Sequence, residues 1–261
     1  MLRPPRMTFP RMTLARIALA GALVLLLQLA CELRWIKPQV MVSPLTMVAT
    51  LWQLLQQGAI TADVRTTLSS ALQALAIAIA AGLTGGVMMH RSPRLRAVLQ
   101  PVVSSWYAVP VFAFYPMLIA LLGLNQRPVV AIGALFAVVA MMVNTLNGLD
   151  QLPVSLLKSA RVMHVSRSRL LFRLIWPAVL PALMTGFKLA ATYAFIGVIA
   201  AEFILSTRGL GHAIAYAYND FDTRTMYALM LLVLLLSGAV QWLLLTMERR
   251  LLRHRSALGS A

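Results

Sequence analysis

The chain of 261 residues is poor in the groups from which most soluble sites are built. It has one cysteine, four histidines and only seven acidic residues. A lone cysteine, Cys31, closes no disulfide within the chain and supplies no cysteine-based metal site. Charged residues make up 11% of the chain, against about 25% in a soluble domain. That deficit excludes an ordinary water-soluble fold, a disordered chain and a coiled coil. No Gly-x-x-x-x-Gly-Lys loop is present, so the chain has no evident cradle for ATP phosphates. Gly209-Leu210-Gly211 is too short for a dinucleotide fingerprint, and its neighbours form no βαβ unit. Those glycines read as a turn. His90, His164, His212 and His254 are scattered, and neither His-Glu-x-x-His nor Gly-x-Ser-x-Gly occurs. No catalytic residue and no metal site is expected.

What the chain has in abundance is apolar surface, at 60% of residues. Charge-free stretches cover 17–31, 66–89, 97–126, 128–149 and 225–247, and 174–201 is interrupted only by Lys188. A bilayer span needs roughly 20 residues, and a charge at its centre costs about 2.5–3.5 kcal/mol on insertion scales. The gaps therefore predict an all-α membrane protein with six transmembrane helices at 14–31, 68–89, 98–121, 128–148, 181–203 and 226–246. The first is read as an uncleaved helix rather than a signal peptide, because five more spans follow. The formal charge of +16 is then a matter of topology. Segments 1–16, 90–97, 150–180 and 247–261 hold 16 of the 23 Lys and Arg, and the opposite loops hold 6. The positive-inside rule puts both termini in the cytoplasm. No nucleic-acid partner is expected, since no aromatic-interleaved basic patch occurs.

Small residues recur every four positions at Ala74, Ala78, Gly82 and Gly86, and again at Gly186, Ala190 and Ala194. Such faces let helix backbones approach closely in lipid; packing inside one bundle and a subunit interface both use them. Candidate pathway residues are Pro110 and Pro116, which interrupt the third span, and Asn144 near the end of the fourth. Lys188 and Glu202, in the fifth, complete the set. An intramembrane charge is a functional candidate, although Lys188 is also placed to snorkel towards the cytoplasm, and Glu202 is expected at the outer rim.

The loop at 150–180 is long for this chain. Leu156, Ala160 and Met163 recur at helical spacing, as do Leu170, Leu171 and Leu174, with Lys158, Arg161, Arg169 and Arg173 between them. Two short amphipathic helices are predicted, with a break near Val165-Ser166 and Ser166 as a cap. Such an element either lies on the inner leaflet or inserts into a partner.

From 158 to 177 the chain resembles the permease subunits of bacterial ATP-binding-cassette importers. Their EAA motif runs Glu-Ala-Ala, three residues, Gly, nine residues, Ile-x-Leu-Pro. Here the triplet falls on Lys158, Ser159 and Ala160, the glycine on His164, and the end on Leu174, Ile175, Trp176 and Pro177. Spacing is kept; Lys158 and His164 depart from the pattern. The resemblance continues through Ser43-Pro44, Thr67-Leu68, Thr185-Gly186-Phe187-Lys188, Ala201-Glu202 and Gly209-Leu210-Gly211 to Glu248-Arg249-Arg250. It is closest to the subgroup for nitrate, sulfonate and taurine uptake.

The resemblance implies a type I importer permease fold in the bacterial inner membrane. Residues 1–31 would form the N-terminus and first helix. Residues 32–261 would form the rest, with a permease core at about 66–250 and a coupling loop at 150–180. Lys158, Ser159, Ala160, Arg161, His164, Arg167, Leu174 and Pro177 would seat in a groove of an ATPase. The implied partners are two ATPase subunits carrying ATP and Mg, a periplasmic solute-binding protein and a second permease copy in a homodimer. This chain would bind no cofactor. A secondary carrier or channel is the alternative, though span interiors lack the acids that couple protons or sodium.

Overall fold

The computed structural model describes residues 9–37, 40–153, 155, 158, 160 and 162–256. Among them every regular element is helical. The helices are α1 (Phe9–Glu32), α2 (Pro44–Gln56), α3 (Thr61–Arg91), α4 (Pro93–Ser105), α5 (Tyr115–Leu122), α6 (Arg127–Asp150), α7 (Trp176–Leu205), α8 (Leu210–Asn219) and α9 (Thr223–Ser256). Four stretches are long and apolar enough to cross a bilayer: Thr61–Arg91, Arg127–Asp150, Leu170–Ile204 and Thr223–Arg250. Ala18–Glu32 is a shorter apolar helix, and α4 and α5 form a bent pair. Helical structure thus falls at the six predicted positions, as four long spans, one shorter helix and one bent pair.

The chain divides into two compact units. One comprises residues 1–59 and 214–232, the other 60–213 and 233–261. In the first, Ser43 caps α2 by accepting from the Thr46 amide at 3.4 Å, and Pro44 opens the helix where a missing N–H costs nothing. The Leu45 amide donates to Gln28 Oε1 at 3.2 Å, fixing α2 on α1. Tyr227 Oη donates to the Val40 carbonyl at 2.7 Å.

The second unit is built around α6. Of its span 61% is buried, against 22–44% in the other three. The small-residue faces explain why. A β-carbon at Gly82 would lie 2.5 Å from Met141 Cβ, and one at Gly86 would lie 2.7 Å from Thr145 Cβ. Gly133 meets Ala74 in the same way. These pairs advance together along both chains, so α3 and α6 run parallel. On the other side of α6, Gly133 meets Gly197, Asn144 meets Gly186, and Gly148 meets Ala182. That order reverses, so α7 runs antiparallel. The stripes predicted from spacing are therefore used for packing within the chain. In lipid no hydrophobic drive holds helices together, and close approach gains the dispersion contacts that replace it.

Parallel α3 and α6 need a connection that returns from one end to the other. The α4–α5 pair makes it. The expectation of one proline-interrupted span over 98–121 is corrected here: segments Pro93–Ala108 and Val111–Leu122 meet at 97°. Pro110 is the cause. It holds Val109 in an extended conformation (φ −77°, ψ 126°), which no helix continues. Pro116 sits in the first turn of α5, where its ring is tolerated, and Pro101 lies inside α4. The bend packs on α6 through Trp106 Nε1, which donates to the Leu135 carbonyl at 3.0 Å, and through Phe112 on Phe136, with ring centroids 5.0 Å apart.

A second correction concerns the fifth predicted span, 181–203. Helical structure begins well before it, at Arg167. It passes through a wide π-type stretch, Leu170–Ile175, and continues without a break into α7. Pro177 falls in the first turn of α7, and Pro181 is carried inside it. The second amphipathic loop helix and the span are thus one rod.

Candidate functional site

The 158–177 element lies at the end of the second unit where α3 and α6 finish. Lys158, Ala160 and Val162 are helical. Ser159 and Arg161 lie outside the described residues. The chain then turns at Met163-His164. His164 has φ +49°, and the Val165 amide donates to the Ala160 carbonyl at 3.0 Å. This is the six-to-one bond that closes a helix when the residue after its cap turns left-handed. The family's glycine position is therefore a left-handed position in this chain too, and a histidine fills it. Left-handed φ crowds a β-carbon, though histidine tolerates it better than most.

The Ser166 carbonyl accepts from the Leu170 amide at 2.9 Å, a backbone bond in place of the side-chain cap expected there. The backbone of Arg167 opens the next helical turn. Leu174 and Pro177 are half-buried. Ala160 is buried, as its apolar stripe predicts, but Met163 is not. Helix ends before the stripe is complete, which leaves Met163 in the turn. Val162 and Met163 are 79% and 75% exposed, and Phe172 is 69% exposed. Lys158, Arg169 and Arg173 of the same element are exposed too. The loop thus exposes large apolar and basic side chains together in one short stretch of sequence.

The candidate pathway residues scatter. Pro110 and Pro116 are exposed at the bend, and Asn144 turns its amide back to the Ala140 carbonyl at 2.8 Å. Lys188 does not snorkel freely. Its Nζ lies 2.7 Å from Glu248 Oε2, about one fifth of each side chain remaining exposed. Snorkelling was expected because sequence spacing within α7 offers no acid; the partner comes from α9.

Glu202, expected at the outer rim, is fully buried. Thr67 Oγ1 donates to its Oε2 at 2.7 Å, and the Gly211 amide donates to the same oxygen at 3.1 Å. The Leu210 amide donates to Thr67 Oγ1 at 2.8 Å, and the Gly209 amide donates to Asp63 Oδ1 at 2.9 Å. The orphan amides that open α8 are thus capped from α3 and α7. A carboxylate at a helix N-terminus is also favoured by the helix dipole. Gly209 has φ +102°, and a β-carbon there would overlap the Glu202 carboxyl. Three segments quoted separately in the sequence, at Thr67, Glu202 and Gly209–Gly211, meet at one point.

One cluster escaped the sequence reading. Asp150, where the long loop begins, accepts from Arg96 Nη1 at 2.7 Å and lies 2.8 Å from His90 Nδ1. Its signal was opposite charges at neighbouring span ends, which no spacing rule joins across 54 or 60 residues.

Together these features describe a helical chain with several stretches long and apolar enough to cross a membrane and an exposed loop at 158–177. The chain belongs to the family of binding-protein-dependent transport system inner membrane components, whose pattern matches residues 74–253. It is 28% identical over 207 residues to the taurine transport system permease protein TauC of Escherichia coli (strain K12), covering 78% of this chain and 71% of that one. It is 24% identical to the putative aliphatic sulfonates transport permease protein SsuC of Bacillus subtilis (strain 168), covering 92% and 87%. It is 30% identical to the glycine betaine/proline betaine transport system permease protein ProW of Escherichia coli (strain K12), covering 67% and 50%. Its fold resembles that of a chain of the inward facing MetNI methionine ABC transporter, with a TM-score of 0.63 at 16% identity over 76% of this chain and 96% of that one. The chain is thus an ABC importer permease with the type I fold, a transport component rather than an enzyme, working in a complex with a separate ATPase. This sets aside the secondary carrier or channel.

Proposed function

We propose that this permease moves a small organic anion of the sulfonate or taurine kind inward across a bacterial inner membrane. Both termini and the 158–177 loop face the cytoplasm, as the distribution of Lys and Arg favours. Two copies enclose the path, a periplasmic solute-binding protein delivers the solute, and two ATPase subunits holding ATP and Mg grip the loops. This chain binds no cofactor. Lys158, Ser159, Ala160, Arg161, His164, Arg167, Leu174 and Pro177 form the seat, and nucleotide closure of the ATPases rocks the rigid rod that runs from Arg167 into α7. Pro110, Pro116, Asn144, Lys188 and Glu202 act along the path as hinge and packing residues. ATP drives transport because its binding prefers one of the two states.

The observation that carries this reading is that the 158–177 element exposes Val162, Met163 and Phe172 together with the basic Lys158, Arg169 and Arg173. The relatives named for taurine and sulfonates support the solute class. The relative named for betaines favours a second reading, a zwitterion with a quaternary ammonium group. The test is ATP-dependent uptake in proteoliposomes holding the permease, its ATPase and its binding protein. Taurine and alkanesulfonates should be taken up in preference to glycine betaine. Deleting 158–173 should abolish solute-stimulated ATP hydrolysis while leaving membrane insertion intact. Unchanged stimulation after the deletion refutes the coupling role, and uptake without the ATPase refutes the importer.

A further inference from the structure

A cavity of about 620 Å³ opens in the second unit between α3, the end of α5 and the start of α6. It lies at the end away from the 158–177 loop. Gln73, Ile77, Leu122, Asn125, Gln126 and Arg127 are the lining residues that matter. Solute pockets in proteins run to about 300–1,000 Å³, so its size suits a molecule of a few heavy atoms with its water.

Three polar groups in this lining are unspent. Arg127 forms no ion pair among the described residues, and no carboxylate lines the cavity. Gln126 Oε1 is buried without a partner, because its own Nε2 is drawn to Ser206 Oγ at 3.4 Å and the Arg208 carbonyl at 3.3 Å. Gln73 is exposed in the middle of an apolar helix, the only amide side chain between residues 66 and 89. An amide facing hydrocarbon has nothing to bond, so such residues face water or protein. Gln73 neighbours Ala74, which touches Gly133. That places it about six residues, or roughly 9 Å, below Arg127 along α6. Asn125 holds the mouth rigid: its Oδ1 accepts from the Arg127 amide at 2.7 Å and its Nδ2 donates to the Leu122 carbonyl at 2.7 Å.

A cation at the mouth with no acid to neutralise it, a buried acceptor beside it and an amide below make a binding site for one chemistry. We infer that this cavity is the receiving vestibule for the solute, taking a sulfonate or carboxylate head on the Arg127 guanidinium and directing the rest of the molecule towards Gln73. Guanidinium forms paired hydrogen bonds with such heads, and a cavity wall of low dielectric strengthens the attraction. This rests on the proposed importer of small anions and adds where the permease itself first holds them.

The test uses the full chain in nanodiscs, with Cys31→Ser removing the native thiol and Gln73→Cys introducing a reporter. Reaction with a negatively charged methanethiosulfonate should outpace reaction with the positively charged analogue. Arg127→Gln should cut that ratio at least about fivefold, which is what one charge some 9 Å away gives for two oppositely charged reagents in the dielectric of water, and more where the dielectric is lower. Arg127→Lys should keep it, which separates lost charge from lost folding. Millimolar taurine should slow labelling, and ethylamine should not. A reporter thiol silent in nanodiscs, equal rates for the two reagents, or no protection by taurine overturns the vestibule. Uptake by the Cys31→Ser complex is measured alongside. If it persists while the labelling result fails, only the vestibule falls; if ATP-dependent uptake itself is absent, the importer reading falls with it.

Discussion

The two ends of the α3–α6–α7 bundle are built on opposite principles. At the Glu202 end a carboxylate is wholly buried, yet most of the polar atoms around it are paired across α3, α7 and the start of α8. At the 158–177 end the apolar side chains are the exposed ones, and the backbone turns left-handed through a histidine. Around Glu202 the first end is a nearly finished interior, although Glu202 Oε1 has no partner and the Arg127 cavity opens at the same end. The second is a surface whose apolar atoms gain only when something else covers them. In a protein that lives in lipid, hydrophobicity alone separates neither inside from outside nor function from packing. What separates the Glu202 cluster from the loop is how much of each is paired within the chain.

Substitutions can break or sharpen this contrast. The largest effect is expected from Gly209→Val. Its β-carbon overlaps the Glu202 carboxyl and its φ forbids branching. We expect loss of the folded, monodisperse chain on fluorescence-detected size exclusion; near-native yield would show that the Glu202 end yields easily. Next, Lys188→Met should cost about 3 kcal/mol by stranding Glu248. Adding Glu248→Gln should recover much of that in thermal unfolding, and a fully additive double variant would deny the pair. Glu202→Ala should cost about 2 kcal/mol, because the Thr67 hydroxyl and the Gly211 amide lose their acceptor. Unchanged melting would remove the contrast. At the open end, Phe172→Asp should leave melting within about 0.5 kcal/mol of the parent, as exposed substitutions do. It should nevertheless lose co-purification with the ATPase. The smallest effect is His164→Gly. Relieving the left-handed strain should stabilise the chain by about 1 kcal/mol, with coupling retained. Destabilisation would mean that the histidine makes contacts outweighing its strain.

Much of this architecture was legible without coordinates. Charge-free gaps located helical structure at six positions, because a charge in hydrocarbon costs more than any local propensity returns. Four-residue spacing of Ala and Gly placed the α3 and α7 stripes, since helical geometry alone puts such residues on one face. The EAA spacing located the loop, but the left-handed turn at His164 was not legible and falls just ahead of the break expected near Val165-Ser166. The bend between α4 and α5 was visible as prolines, but its 97° angle was not. An angle follows from what each half packs against, here Leu135 and Phe136 on α6.

The remaining features lay in pairings between distant residues. Spacing in one helix cannot reveal that Lys188 meets Glu248, that Asp150 joins Arg96 and His90, or that Glu202 lies under Thr67 and Gly211. Solvent preference acts on each residue where it stands, so the composition of this chain was enough to determine that it crosses lipid and roughly where. Hydrogen bonds and ion pairs act between residues, within about 3 Å. Only the folded chain decided which polar groups were consumed inside it, and which, at the loop and at Arg127, were left to meet something else.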